Sequence, residues 1–132
     1  MAYEVEHSDD EWRALLSPDG FRILRRAGTE PAFSNEYWDN HAEGVYDCAG
    51  CDRALFDSAD KFDSGTGWPS FTRPVDSSAV ETHVDSGFGM VRTEVRCARC
   101  GGHLGHLFDD GPAPLGTRYC MNSGALVFKP RA

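Results

Sequence analysis

RTEVRCARCGGHLGHLF, residues 92–108, is the stretch on which the reading of this chain turns. RTEVRC alternates along its length and carries β-branched Thr93 and Val95, the pattern of a strand. Cys97-Ala-Arg-Cys100 follows, and then Gly101 and Gly102, which suit a tight knuckle whose backbone amides point at a sulfur. A second Cys-x-x-Cys, Cys48-Ala-Gly-Cys51, lies upstream with 45 residues between the pairs. That gap is wider than a compact zinc ribbon allows, so a shared metal would tie two distant hairpins together. Four thiolates in a tetrahedron make a structural zinc site. Iron accepts the same ligands, and a redox pair is a further reading. Thioredoxin-like pairs open a helix in a βαβ unit, however, and neither pair here does.

Working outward, the texture from Gly44 onward is that of a mainly β chain. GVYDC, WPSFTRP, AVETHVD, GMVRTEVRC and RYCMNSGALVFKP alternate with Gly, Pro, Asp and Ser. This predicts several antiparallel strands in a sandwich or open barrel, with DDGPAP, residues 109–114, as a loop. Upstream, Ser8 and Glu11 fit a capping box, and Ser17-Pro18 fits a cap followed by proline at the first helical position. A third short helix is expected after Ser34, through Tyr37 and Trp38. Residues 1–40 are therefore read as a helical segment packed on a β core, within one domain spanning residues 1–132.

The chain has 13 basic and 21 acidic residues, a formal charge of −8. That balance argues against nucleic acid and against an anionic membrane surface. MAYEVEHSDDEW has neither the apolar run nor the basic character of a signal segment, and no stretch reaches a membrane span. The expectation is a cytoplasmic protein, where paired cysteines bind metal more readily than they form disulfides.

The fifth cysteine, Cys120, is left over. Free cysteines are commonly buried and inert. Yet in a strand over residues 117–122, Arg118, Cys120 and Asn122 share one face and Tyr119 and Met121 the other. An arginine beside a thiol favours the nucleophilic thiolate. His103 and His106 would oppose each other in a regular strand, but Gly105 permits a bulge that turns both the same way. The pair then suits proton transfer, where each alone would be structural. Trp68, between Gly67 and Pro69, reads as core or, beside a nucleophile, as a wall for a small apolar group.

FDSGTGWPSF, GMVRTEVRCARCGGHLGHLFDDGP and RYCMNSGALVF together closely resemble the methionine-R-sulfoxide reductase family, the B-type enzymes, from about Glu36 to the C-terminus. The resemblance implies two small antiparallel sheets, a few N-terminal helices, and a zinc tetrathiolate of Cys48, Cys51, Cys97 and Cys100 away from the active centre. It implies reduction of the R epimer of methionine sulfoxide, free or in oxidised proteins; a monomer is the expectation, though the sequence itself does not set the oligomeric state. Carried over, Cys120 is the nucleophile, Trp68 and Phe108 hold the methyl group, and His103, His106 and Asn122 surround the sulfoxide oxygen. Arg118 supports the thiolate. One departure stands out: many members carry a resolving cysteine in FDSG-Cys-GWPSF, where this chain has Thr66. A sulfenic acid on Cys120 would then be reduced from outside, by thioredoxin or a small thiol. A zinc-stabilised β binding or chaperone module is the rival reading, and an activated thiol with two histidines argues against it.

Overall fold

Two short helices open the chain because their caps are written into the sequence. Ser8 accepts from the Glu11 amide and Glu11 reaches back to the Ser8 amide, starting α1, Asp9–Leu15. Ser17 accepts from the Gly20 amide and Pro18 sits in the first turn of α2, Pro18–Arg26. Ala27 ends α2 in the left-handed conformation, at φ 54°. The computed structural model describes residues 3–87 and 89–131.

No third helix follows Ser34: residues 36–39 form turns. Asn35 Oδ1 accepts from the Glu36 amide and Ser123 Oγ from the Tyr37 amide, while the Asn40 amide reaches back three residues to Tyr37 O at 3.3 Å, a turn bond and not a helical one. The helical part of the leading segment is thus residues 9–26, and the remainder runs irregularly to β1.

The rest is mainly β, in two antiparallel sheets. β1 (Gly44–Cys48) lies between β2 (Ala54–Asp57) and β9 (Leu126–Pro130) in a three-stranded sheet. The second sheet has six strands: β3 (Lys61–Phe62), β4 (Ser70–Phe71), β8 (Arg118–Met121), β7 (His103–Phe108), β6 (Arg92–Cys97) and β5 (Val80–Asp85), in that spatial order. β1 spans the segment GVYDC as expected. β2, in the short run ALFD, carries no alternation to announce it and was not foreseen. WPSFTRP yields only the two residues of β4, because Pro69 and Pro74 bracket it and cannot donate to a ladder.

The core lies between the sheets. Phe56 of β2 stacks on Phe71 of β4 with centroids 4.5 Å apart, and Tyr46 of β1 meets Phe71 edge-on at 5.2 Å. All three are fully buried, and truncating one such ring to alanine costs about 3–5 kcal/mol. α2 covers β7 with Ile23 and Leu24. Among the described residues no helix is long and apolar enough to cross a membrane.

Candidate active site and metal centre

The paired cysteines converge because each pair starts at the end of a strand. Cys48 closes β1 and Cys97 closes β6, while Cys51 and Cys100 lie in the turns that follow. The two knuckles are alike. In the first, the Asp52 amide donates to Cys48 O at 2.9 Å with Asp52 at φ 65°; in the second, Gly101 donates to Cys97 O at 2.8 Å at φ 74°. Glycine suits position 101, where φ is positive and a Cβ would press within 2.5 Å of the Tyr3 ring. The Gly50 amide points at Cys48 Sγ, 3.4 Å away.

All four sulfurs are free thiols within 4.8 Å of one another, with Cys48–Cys100 at 3.7 Å and Cys51–Cys97 at 3.5 Å. Metal–sulfur bonds of about 2.3 Å in a tetrahedron separate sulfurs by roughly 3.8 Å, so the set fits one cation. Four protein donors close such a site to substrate, which leaves it a structural part.

Cys120 is placed differently. It is the third residue of β8, with strands on both sides: His106 of β7 is its direct partner on one side and Ser70 of β4 on the other. Cross-strand partners project to the same face. The face here is a cavity of about 220 Å³ that Cys120 shares with His106, Trp68, Phe108, Thr66, Arg118 and Asn122. Trp68 is fixed by its indole N–H, which donates to Glu30 O at 2.9 Å.

The bulge expected near Gly105 is present. Val95 faces Gly105 and Arg96 faces His103, so Leu104 is the extra residue. It brings the His103 and His106 rings to 5.3 Å. Gly105 is required by β8, whose Cys120 carbonyl would lie 2.0 Å from a Cβ at this position. Only His106 lines the cavity, however. His103 sits behind it, facing a second, polar cavity of about 460 Å³ that includes Asp85 and Arg92. A carboxylate can only accept, so His103 Nδ1–H donates to Glu94 at 2.6 Å and His106 Nε2–H to Asp85 at 3.2 Å. His103 Nε2 is buried with no partner among the described residues.

Charge at the sulfur departs from the sequence reading. Arg118 was expected to favour the thiolate. It does pull the thiol down, as does the Thr66 hydroxyl, but burial outweighs both and holds Cys120 above the usual thiol range. The reason is visible in the arginine's own contacts: Arg118 is gripped by Asp110 at 2.8 and 3.2 Å and lies over the Phe108 ring at 4.3 Å. Burial likewise holds His106 below the usual imidazole range, against the Asp85 hydrogen bond that raises it. The resting pair is therefore thiol and neutral imidazole. Asn122 is also less free than its position suggested. Its Oδ1 accepts from the Glu30 amide at 3.0 Å and its Nδ2 donates to Leu104 O at 3.1 Å.

Three residues that shape the site were missed. Glu94 had a signal: RTEVR alternates Arg, Glu, Arg on one face, and Glu94 indeed holds Arg96 at 2.9 Å as well as His103. Asp85 becomes relevant only through its pairing with Arg92 across the β5–β6 hairpin. Glu30 had none. It is buried in the irregular segment, and its carboxylate accepts from the Ser123 and Gly124 amides at 2.8 and 2.9 Å.

Comparison with known proteins adds the following. The SelR domain family matches residues 16–130. A protein of Thiobacillus denitrificans named peptide methionine sulfoxide reductase MsrB is 55% identical over 131 residues, covering 99% of each chain. Proteins of the same name from Azotobacter vinelandii and Agrobacterium fabrum are 56% and 54% identical, covering 97% and 96% of this chain and 96% and 94% of their own.

Proposed function

The chain belongs to the SelR-domain family of peptide-methionine (R)-S-oxide reductases, and from that premise we propose that Cys120 is the sulfur that attacks the substrate. The observation that carries this reading is the register of β7, β8 and β4, which sets Cys120 beside His106 in a cavity walled by Trp68 and Phe108. The indole and phenyl faces take the methyl group on the substrate sulfur, and the sulfoxide oxygen turns toward His106.

As Cys120 attacks the sulfoxide sulfur, its proton passes to the open nitrogen of His106, Nδ1, and from there to the sulfoxide oxygen. The S–O bond of the substrate breaks, methionine leaves, and oxygen and proton end on Cys120 as a sulfenic acid. The thiol is oxidised by two electrons and the substrate sulfur is reduced by two. A neutral imidazole and a protonated thiol are the right starting states for such a relay. His103, held by Glu94, backs the His106 ring and fixes its position. Asn122 holds the wall of the cavity through Glu30 and Leu104.

Thr66 stands where many relatives would close a disulfide, and a hydroxyl cannot do so. With Cys48, Cys51, Cys97 and Cys100 engaged on zinc, two external thiols reduce the sulfenic acid, giving a disulfide and water. Thioredoxin or a small thiol in a reducing compartment such as the cytoplasm fits this role. Zinc is the ion that four thiolates in a closed tetrahedron suit best, and it supplies stability. Racemic methionine sulfoxide incubated with dithiothreitol tests the activity. Consumption that stops at half of the racemate, with intact-mass analysis showing one oxygen on Cys120 after a single turnover without thiol, is the expected result. A disulfide within the chain at that stage would overturn the scheme.

A further inference from the structure

Ser70, Ser64 and Thr66 form a line of hydroxyls that ends at the cavity holding Cys120. Ser70 is fully buried and is the direct cross-strand partner of Cys120. Its Oγ lies 2.8 Å from Ser64 Oγ, which lies 2.7 Å from Thr66 Oγ1. Ser70 Oγ is also 3.2 Å from Trp68 O, and the Thr66 amide donates to Ser64 Oγ at 3.4 Å. Thr66 lines the cavity beside the sulfur.

Three hydroxyls own three hydrogens, and this count leaves two self-consistent arrangements. In one, Ser70 donates to Trp68 O, Ser64 to Ser70 and Thr66 to Ser64. Thr66 Oγ1 then turns a lone pair to the sulfur and accepts the Cys120 S–H. In the other, Ser70 donates to Ser64, Ser64 to Thr66, and Thr66 to a negatively charged sulfur. Only hydroxyl rotations separate the two. The hydroxyls keep their three hydrogens throughout; the proton that leaves the sulfur goes to His106 or to solvent, and Trp68 O alone gives up its donor.

We propose that this Ser70–Ser64–Thr66 chain is a reversible donor to Cys120, accepting from the thiol at rest and turning over as a unit to stabilise the thiolate when it forms. The fixed groups around the sulfur do not suffice. On its own strand Arg118, held by Asp110, draws the thiol down without offsetting burial; from β7 comes a neutral His106; from β6 comes Arg92, tied to Asp85; and from the segment after α2 comes the carboxylate Glu30, which opposes ionisation. The hydroxyl chain adds no net charge to the cavity, yet its end can present either a lone pair or a hydrogen. In the catalytic scheme above, and resting on it, the same donor also meets the oxygen of the sulfenic acid.

The test is the pH dependence of iodoacetamide labelling of Cys120, assigned by peptide mapping in the metal-loaded protein. Ser64→Ala cuts the chain while leaving Thr66 beside the sulfur. Thr66→Val removes its end, and Thr66→Ser keeps the hydroxyl. The first two variants should move the labelling midpoint upward and slow labelling at pH 8 by about three- to tenfold, a tenfold change being one pKa unit. Thr66→Ser should follow the wild type. Labelling by Ser64→Ala within twofold of wild type overturns the chain even if Thr66→Val is slow, as does a Thr66→Ser variant that labels like Thr66→Val. Labelling is read without substrate. A wild-type protein that leaves racemic sulfoxide untouched would therefore sink the catalytic scheme and leave this result standing, and the converse also holds.

Discussion

Cys97 and Cys120 occupy different places in neighbouring parts of one sheet, and that placement separates their chemistry. Cys97 is the last residue of β6, where the ladder stops and the chain curls back on itself, so its sulfur meets three others from turns and strand ends. Cys120 is inside β8, where His106 and Ser70 flank it on the paired strands and Thr66 lines the same cavity. A strand end lets sulfurs gather and share one ion. A strand interior isolates a sulfur and surrounds it with a fixed set of neighbours. The five cysteines differ in geometry before they differ in ionisation.

The largest effect should come from emptying the cluster. Removing metal with a chelator, or changing Cys97 to Ala, takes away a cross-link between β1 and β6, whose worth in small metal-dependent folds is on the order of 10 kcal/mol. Circular dichroism and thermal melting should show loss of the cooperative transition, with activity lost in step. Activity that vanished while the transition stayed intact would erase the contrast between the two kinds of cysteine. Next is Cys120→Ser. It should lower turnover by at least roughly 10⁴-fold, as loss of a nucleophile does, while the melting temperature stays within a degree or two.

A smaller effect tests the carboxylate behind the histidines. Burial pushes the Glu94 carboxyl up, but hydrogen bonds from Arg96 and His103 more than offset it and hold the group below the usual carboxylate range. Its contribution to stability is thus present above the ordinary carboxyl pKa and lost as pH falls through the depressed value. Glu94→Gln should be less stable than wild type in urea at pH 7, with the difference shrinking in acid. A difference that grew on acidification would mean the carboxyl is held protonated. Smallest is Ser17→Ala, which removes the cap of α2 at a cost of about 1 kcal/mol in denaturant unfolding and leaves both cysteine sites as they are.

Much of this was legible in the residues because the signals were local. The caps of α1 and α2, the strand over residues 44–48 and the kink at Gly105 each depend on side chains within a few positions. The face shared by Arg118 and Cys120 follows from alternation alone. What stayed hidden depends on contacts between distant segments. The turns found in place of a third helix are tied to Ser123, some 86 residues away, and the state of the Cys120 thiol is set chiefly by burial, while Asp110 grips Arg118. An arginine two positions from a cysteine looks like a free cation until its partner is seen.

Segments far apart in sequence are joined by late contacts. β1 pairs with β9, whose last residue is Pro130, and Glu30 waits for amides 93 and 94 positions downstream. A ribosome delivers these pieces in order, so neither contact exists until residues 123–130 have left it. Contacts of such long range slow folding. Glu30 and the open edge of β1 are therefore left waiting, unpaired, until residues 123–130 are free to reach them.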